Sequence, residues 1–235
     1  MNSKKSKKLD YRDAARELRR HGNAARAAFS VGYFKDTAGD MFLGVAVPAM
    51  RRLASEFRGV PMTQMRRLMQ SSIHEERMLA IEILRLKFQK GSPQQQKEIF
   101  HFYMKNRRCI RSWDGVDGSA PYIVGCYLLR RDKKVLYELA RSDRLWDRRI
   151  AVVATLWFIR NGHTRDTLKI ARMLLNDKED LIHKATGWML REVGKQKLAE
   201  LKKFLRQHSK TMPRTMLRYA IERFPEAERK RYLAR

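Results

Sequence analysis

Leu145-Trp146-Asp147-Arg148-Arg149-Ile150-Ala151-Val152-Val153-Ala154-Thr155-Leu156-Trp157-Phe158-Ile159 is the stretch that decides the fold class. After its first turn it is apolar almost all round. Its β-branched residues suit a strand, but strands run to about five or six residues and this run is far longer. It reads as a helix. Apolar residues on every face place it against neighbours on two sides, as the inner helix of a stacked array. Asn161-Gly162 supplies the stop.

Outward from this helix the same grammar recurs. Towards the C-terminus, helices are expected over 164–175, 179–193, 195–207, 213–223 and 226–233, with Pro213 and Pro225 opening the last two. Towards the N-terminus, Met78, Ile81, Leu84 and Phe88 form one apolar line of a helix from His74 to Lys90. Leu79, Ile83 and Leu86 form a second on its other side. Gly91-Ser92-Pro93 ends that helix and starts another over 93–105. Further helices are expected over 9–28, broken at Gly22, then 48–58, a short one after Thr63, and 133–141. Residues 30–47 read as irregular. A helix from Ser112, capped by that serine, is expected to run to Arg130 with a kink at Pro121. No segment alternates as a half-buried strand does. The expected fold is all-α: a HEAT-like α-solenoid of antiparallel helix pairs recurring at roughly 30–40 residues, with a concave basic face. The domain reading is a basic flexible tail over 1–8 and a single helical-repeat domain over 9–235.

Charge narrows the partners. The 235 residues hold 52 Lys+Arg against 25 Asp+Glu, a formal net charge of +27, and the excess is spread along the chain. Hydrophobic content of 43% is that of a globular protein. So strong a self-repulsion points to a polyanion, with nucleic acid ahead of an anionic membrane surface because no lone basic amphipathic anchor is present. No apolar run is long enough to span a bilayer, and the lysines of residues 1–8 precede no apolar signal region. Cys109 and Cys126 have no partners at metal spacing and read as reduced thiols in the cytoplasm.

The chemistry-bearing residues are few. Ser112-Trp113-Asp114-Gly115-Val116-Asp117 sets a tryptophan and two carboxylates within five residues. On a helix Trp113 and Asp117 are i and i+4, on one face. An aromatic plane beside a carboxylate can hold a sugar ring or stabilise a cation. The plain alternative is that the aspartates complement the helix N-terminus and Trp113 is core. Arg149 lies on a line with Val152, Leu156 and Ile159 and needs an anion, either a buried structural partner or a phosphate. Gly187, beside Trp188 in mid-helix, marks a close approach, by a neighbouring helix or by a ligand. Trp146, Trp157, Met65, Met69 and Met78 read as core. Histidines at zinc-site spacing, a phosphate-binding GxxxxGK[ST] loop and a Gly-x-Ser-x-Gly elbow are all missing, so no metal or organic cofactor is expected.

Taken together, Ser112-Trp113-Asp114-x-Val116-Asp117, Trp146-x-x-Arg149, Lys184-Ala185-x-Gly187-Trp188-x-Leu190-Arg191-Glu192 and Met212-Pro213-Arg214-x-x-Leu217-Arg218-Tyr219-Ala220-Ile221-Glu222 resemble the AlkD family of bacterial DNA-alkylation repair glycosylases. The resemblance covers residues 10–233. It implies a HEAT-like helical array, cytoplasmic and nucleoid-associated, that acts as a monomer on duplex DNA containing alkylated bases. It also implies a monofunctional glycosylase for cationic N3- and N7-alkylpurines, working without base flipping. Asp117, Trp113 and Trp188 fall on the family's catalytic positions and Arg149 on its phosphate-binding arginine. Tyr33, Phe34, Lys184 and Arg191 are the further expected DNA contacts. A helical-repeat protein that binds branched or bent DNA without catalysis is the alternative.

Overall fold

The computed structural model describes residues 9–34 and 39–234; the basic tail expected over residues 1–8 lies outside them. Among the described residues the fold is all-α, with one isolated bridge between Met41 and Ile73 and no strand. No helix among the described residues is long and apolar enough to cross a membrane. The chain divides into two compact units, Met1–Ser119 and Ala120–Arg235.

The first unit contains α1 (Tyr11–Arg20), α2 (Ala24–Tyr33), α3 (Val47–Glu56), α4 (Met62–Met69), α5 (His74–Lys90), α6 (Pro93–Asn106) and α7 (Trp113–Ser119). It is built on α5, which packs against α3, α4, α6 and α7. The two apolar lines of α5 explain this position. Leu79, Ala80, Ile83 and Leu84 are fully buried, and Ile81 and Phe88 nearly so. Each such aliphatic side chain contributes about 1.5–3 kcal/mol by leaving water. Ser92 and Gln95 form a reciprocal capping box that opens α6. The expected break at Gly22 separates α1 from α2. α2 buries none of its residues, although it is rich in alanine and aromatic side chains.

The second unit opens with a π-type turn, Pro121–Gly125, in which the Gly125 amide donates to Ala120 at 2.8 Å. Then follow α8 (Cys126–Leu128), α9 (Lys134–Leu139), α10 (Leu145–Arg160), α11 (Arg165–Met173), α12 (Asp180–Gln196), α13 (Leu198–His208), α14 (Arg214–Ala220) and α15 (Glu226–Leu233). α10 packs against the π-type turn, α9, α11 and α12, and α12 against α13 and α14. The run from Ile150 to Leu156 is buried without interruption. Trp146, Trp157 and Met78 are half-buried, not core as expected; Trp157 meets Tyr122 edge-on with ring centroids 6.1 Å apart.

Three helices begin with one shared device. Before α5, the Ser71 hydroxyl accepts the Ile73 amide at 3.0 Å, and the Ser71 carbonyl accepts the Arg77 guanidinium at 2.9 Å. Before α10, Ser142 accepts the Arg144 amide at 3.2 Å and Arg148 at 2.9 Å in the same two ways. Before α12, the Asp177 carboxylate accepts the Glu179 amide at 3.0 Å, and its carbonyl accepts His183 Nε2 at 2.6 Å. In each case a short polar residue closes a turn two residues on. A cationic or ring N–H from the fourth helical residue then ties the helix back to it. Ser142 stands 71 residues after Ser71, and Asp177 35 after Ser142. At the corresponding start of α7 stand Ile110 and Val116, which can make neither bond.

Candidate active site

α7 is short because its ends are fixed by side chains rather than by length. At its far end the Ser119 hydroxyl donates to the Gly115 carbonyl at 2.6 Å and receives Tyr103 at 2.9 Å. The expected continuation to Arg130 is cut by Pro121, whose ring cannot sit in an α-helical interior; the backbone widens into the π-type turn instead. Gly115 and Val116 are the buried face of α7. A Cβ on Gly115 would meet Ile81 of α5 at 3.2 Å and Ile110 at 3.3 Å, so the helix lies close on α5. Trp113 and Asp117, i and i+4, share another face and are both half-buried, while Gly118 faces open space. The face predicted for this pair is the one observed.

The second aspartate of the motif is committed elsewhere. Asp114 Oδ2 lies 2.9 Å from His74 Nε2, and its Oδ1 accepts the Gly115 amide at 2.8 Å. Burial pushes the Asp114 carboxyl up, but the bonds from His74, Ser112 and Gly115 outweigh it and hold it below the usual carboxylate range. An ionised carboxylate only accepts, so His74 Nε2 carries the proton. Ser112 is thereby a partner of Asp114.

Around Trp113 the first unit assembles an aromatic cluster. Phe34, which follows α2, stacks on Trp113 with centroids 5.4 Å apart and planes 14° apart. Tyr33 meets Trp113 edge-on at 5.8 Å and remains exposed. The other side of the cluster is His74, whose imidazole lies 4.7 Å from Phe34 and 5.0 Å from Phe42. Under Phe34, His74 and Asp114 is a cavity of about 200 Å³ that Met50 and Met78 also line.

Four consecutive residues at the start of α5 hold the surrounding loop, and sequence reasoning passed over all four. His74, Glu75, Glu76 and Arg77 are buried. Glu75 accepts the Leu43 and Gly44 amides at 2.9 and 2.7 Å. Gly44 is required there: its φ is 71°, and a Cβ would come within 2.2 Å of the Asn23 carbonyl. Glu76 pairs with Arg19 at 2.7 Å. Arg77 pairs with Asp40, which Arg111 also holds at 2.7 Å. A polar run at a helix start reads as a solvated first turn; its burial depends on partners 31–57 residues away.

Thus Trp113, Tyr33 and Phe34 come together in the first unit, with Asp117 four residues on from Trp113 along α7. Arg149, Lys184, Trp188 and Arg191 lie in the second, on α10 and α12. Arg149 is buried, and its Nη1 donates to the Leu181 carbonyl at 2.6 Å. Trp188 is half-buried. Beside it, a Cβ on Gly187 would come within 2.5 Å of the Met216 carbonyl and of Tyr219 Cβ. Of the two readings of Gly187, close approach of a neighbouring helix is the one observed. Lys184 pairs with Asp180 at 2.7 Å, and Arg191 with Glu222 and, at 3.5 Å, Glu192.

Comparisons with known proteins complete the description. A family model described as DNA alkylation repair enzyme matches residues 14–224. The solved structure of a "Predicted DNA alkylation repair enzyme" from Enterococcus faecalis is similar with a TM-score of 0.68. It is 18% identical, and the match covers 88% of this chain and 98% of that one; at this identity the likeness speaks for the fold. No curated protein matches.

Proposed function

The chain belongs to the DNA alkylation repair enzyme family, and from that premise we propose that it is a monofunctional DNA glycosylase hydrolysing the N-glycosidic bond of cationic N3- and N7-alkylpurines in duplex DNA. The observation that carries this reading is the half-buried pair Trp113 and Asp117 on one face of α7, beside an Asp114 already committed to His74. Of the two carboxylates in the motif, Asp117 is the one that shares its helix face with Trp113, and it is the one assigned to the substrate.

A purine alkylated at N3 or N7 carries a formal positive charge and leaves without protonation by a general acid. The remaining task is to stabilise the oxocarbenium-like sugar as the bond breaks. Asp117 would do so electrostatically and would position a water at the anomeric carbon. Trp113, its rear face occupied by Phe34, would present its ring to the sugar and add cation–π stabilisation. By the resemblance, Trp188 is assigned packing against the DNA backbone and Arg149 a phosphate. A lesion attacked from the sugar side need not be flipped from the stack. On this reading the protein acts as a monomer on the duplex, in the bacterial cytoplasm. No metal or organic cofactor takes part.

The test is single-turnover release of 7-methylguanine from a duplex oligonucleotide. The wild type should release the base and leave an abasic site in an uncut strand, and borohydride should trap no adduct. Asp117→Asn should slow release at least about a hundred-fold with duplex affinity nearly unchanged. An equal loss of affinity would make Asp117 structural. No release by either protein, with tight duplex binding retained, would overturn the glycosylase reading in favour of binding to branched or bent DNA.

A further inference from the structure

We propose that His74 is the positioning residue of the α7 site. Its Nε2–H bond to Asp114 sets where α7 stands, and its ring, through Phe34, sets the plane of Trp113. The kinetic consequence rests on the glycosylase reading above; the geometric one does not.

α7 has seven residues, far too few for a helix to stand unaided. It also lacks the serine-and-arginine device that anchors α5 and α10, because Ile110 and Val116 occupy those places. What holds its start is a bond from another helix. His74 Nε2 reaches Asp114 at 2.9 Å across 40 residues of sequence. The same imidazole lies against Phe34 at 4.7 Å, and Phe34 in turn lies flat against Trp113 at 5.4 Å. Two independent routes therefore run from one side chain to the motif: a hydrogen bond to the residue after Trp113, and a stack onto Trp113 itself.

A positioning residue must itself be immobile, and His74 is held by its backbone and by the rings on either side of it, although its buried Nδ1 makes no hydrogen bond. It is the first residue of α5, and its amide donates to the Met41 carbonyl at 2.9 Å. Phe42 covers its second face at 5.0 Å. Its Nδ1 lies 3.9 Å from Asp40, a carboxylate fixed by Arg77 and Arg111. Through Asp114 and Phe34 a fixed His74 would fix the pair Trp113 and Asp117, where a displacement of about 1 Å costs a reaction roughly a hundred-fold.

The test separates the two routes. His74→Gln retains an N–H donor for Asp114 and loses the ring. His74→Phe retains a ring between Phe34 and Phe42 and loses the donor. The protein is labelled with 5-fluorotryptophan, and the fluorine resonance of Trp113 is assigned by its loss in Trp113→Phe. Both His74 variants should shift or broaden the Trp113 resonance while those of Trp146, Trp157 and Trp188 stay in place. His74→Phe should slow single-turnover release of 7-methylguanine about a hundred-fold at saturating enzyme, and His74→Gln about ten-fold, each with duplex affinity within two-fold. Asp114→Ala, at a partly exposed residue, removes the acceptor and should perturb Trp113 in the same way, and it decides the matter if both His74 variants misfold. A Trp113 resonance unmoved by Asp114→Ala, or by both His74 variants, overturns the proposal. A moved resonance in a protein whose wild type releases no base sustains the positioning role and removes the glycosylase reading.

Discussion

Asp114 and Asp117 stand three residues apart and differ in what surrounds them. Asp114 receives His74, Ser112 and the Gly115 amide and is held below the usual carboxylate range. Its depressed folded-state value makes it a source of stability with a definite sign. The contribution is complete above the ordinary carboxylate pKa of about 3.9 and is lost as pH falls through the lower folded-state value. Asp114→Asn should therefore cost about 1–3 kcal/mol at neutral pH, the price of leaving a buried partner unsatisfied. Urea denaturation of both proteins should show this difference shrinking below about pH 3.9; a difference independent of pH would mean that the charge of Asp114 contributes nothing. At this scale the sequence was half legible. The common face of Trp113 and Asp117 was legible because i and i+4 fix it. His74 was not, because its partner is 40 residues away and its neighbours in sequence are polar. Local pattern carries facing, and only tertiary structure carries burial of a charge.

At the scale of the helix, apolar periodicity was sufficient wherever a helix is buried on two sides, and α5 and α10 begin and end within a residue of the expected limits. It was insufficient at α7, where side-chain bonds and Pro121 decide the length. Gly187 shows the same limit. Its mid-helix position signalled a close approach, and only the structure identifies the visitor as α14. In Gly187→Ala two effects compete. Alanine favours the helix by about 1 kcal/mol, but its Cβ would lie 2.5 Å from the backbone of Met216 and from Tyr219, and backbone cannot yield as a flexible side chain can. Overpacking of this kind costs about 1–3 kcal/mol, so the variant should unfold at lower urea concentration than the wild type. A gain in stability would mean that α14 shifts freely. The shared helix-start device makes a second prediction. Arg148 joins α10 to Asp177 at 2.6 Å with both side chains largely buried. Arg148→Ala should cost about 3–5 kcal/mol, because it strands a buried carboxylate. Arg77→Ala should cost less, because Arg111 still holds Asp40 at 2.7 Å, and a loss under 1 kcal/mol in Arg148→Ala would show that the device does not hold α10.

Over the whole molecule the dominant quantity is the charge of +27. Composition alone made a polyanionic partner the first expectation, and the family match names DNA repair as its setting. What composition left open is which cations meet phosphate, since Lys184, Arg191 and Arg148 are all taken by carboxylates of this chain. Arg149 is the proposed phosphate ligand, and its surroundings make the test sharp. It is buried and anchored to the Leu181 carbonyl, so a measured loss of affinity on its removal has two sources, a lost phosphate or a loosened α12. Salt separates them. Each phosphate neutralised releases condensed counterions and contributes about −0.9 to the slope of log K against log salt on duplex DNA. A packing defect lowers affinity at every salt concentration alike. Arg149→Ala should therefore bind unmodified duplex more weakly and with a slope flatter by about 0.9, while Arg148→Ala, whose guanidinium is spent on Asp177, should leave the slope unchanged. The check is a fluorescence-anisotropy titration of both variants from about 50 to 200 mM salt, the range over which six to ten phosphate contacts lose roughly 10³–10⁵ in affinity. Parallel lines for Arg149→Ala and the wild type would assign Arg149 to the joint between α10 and α12 and leave the phosphate to another cation.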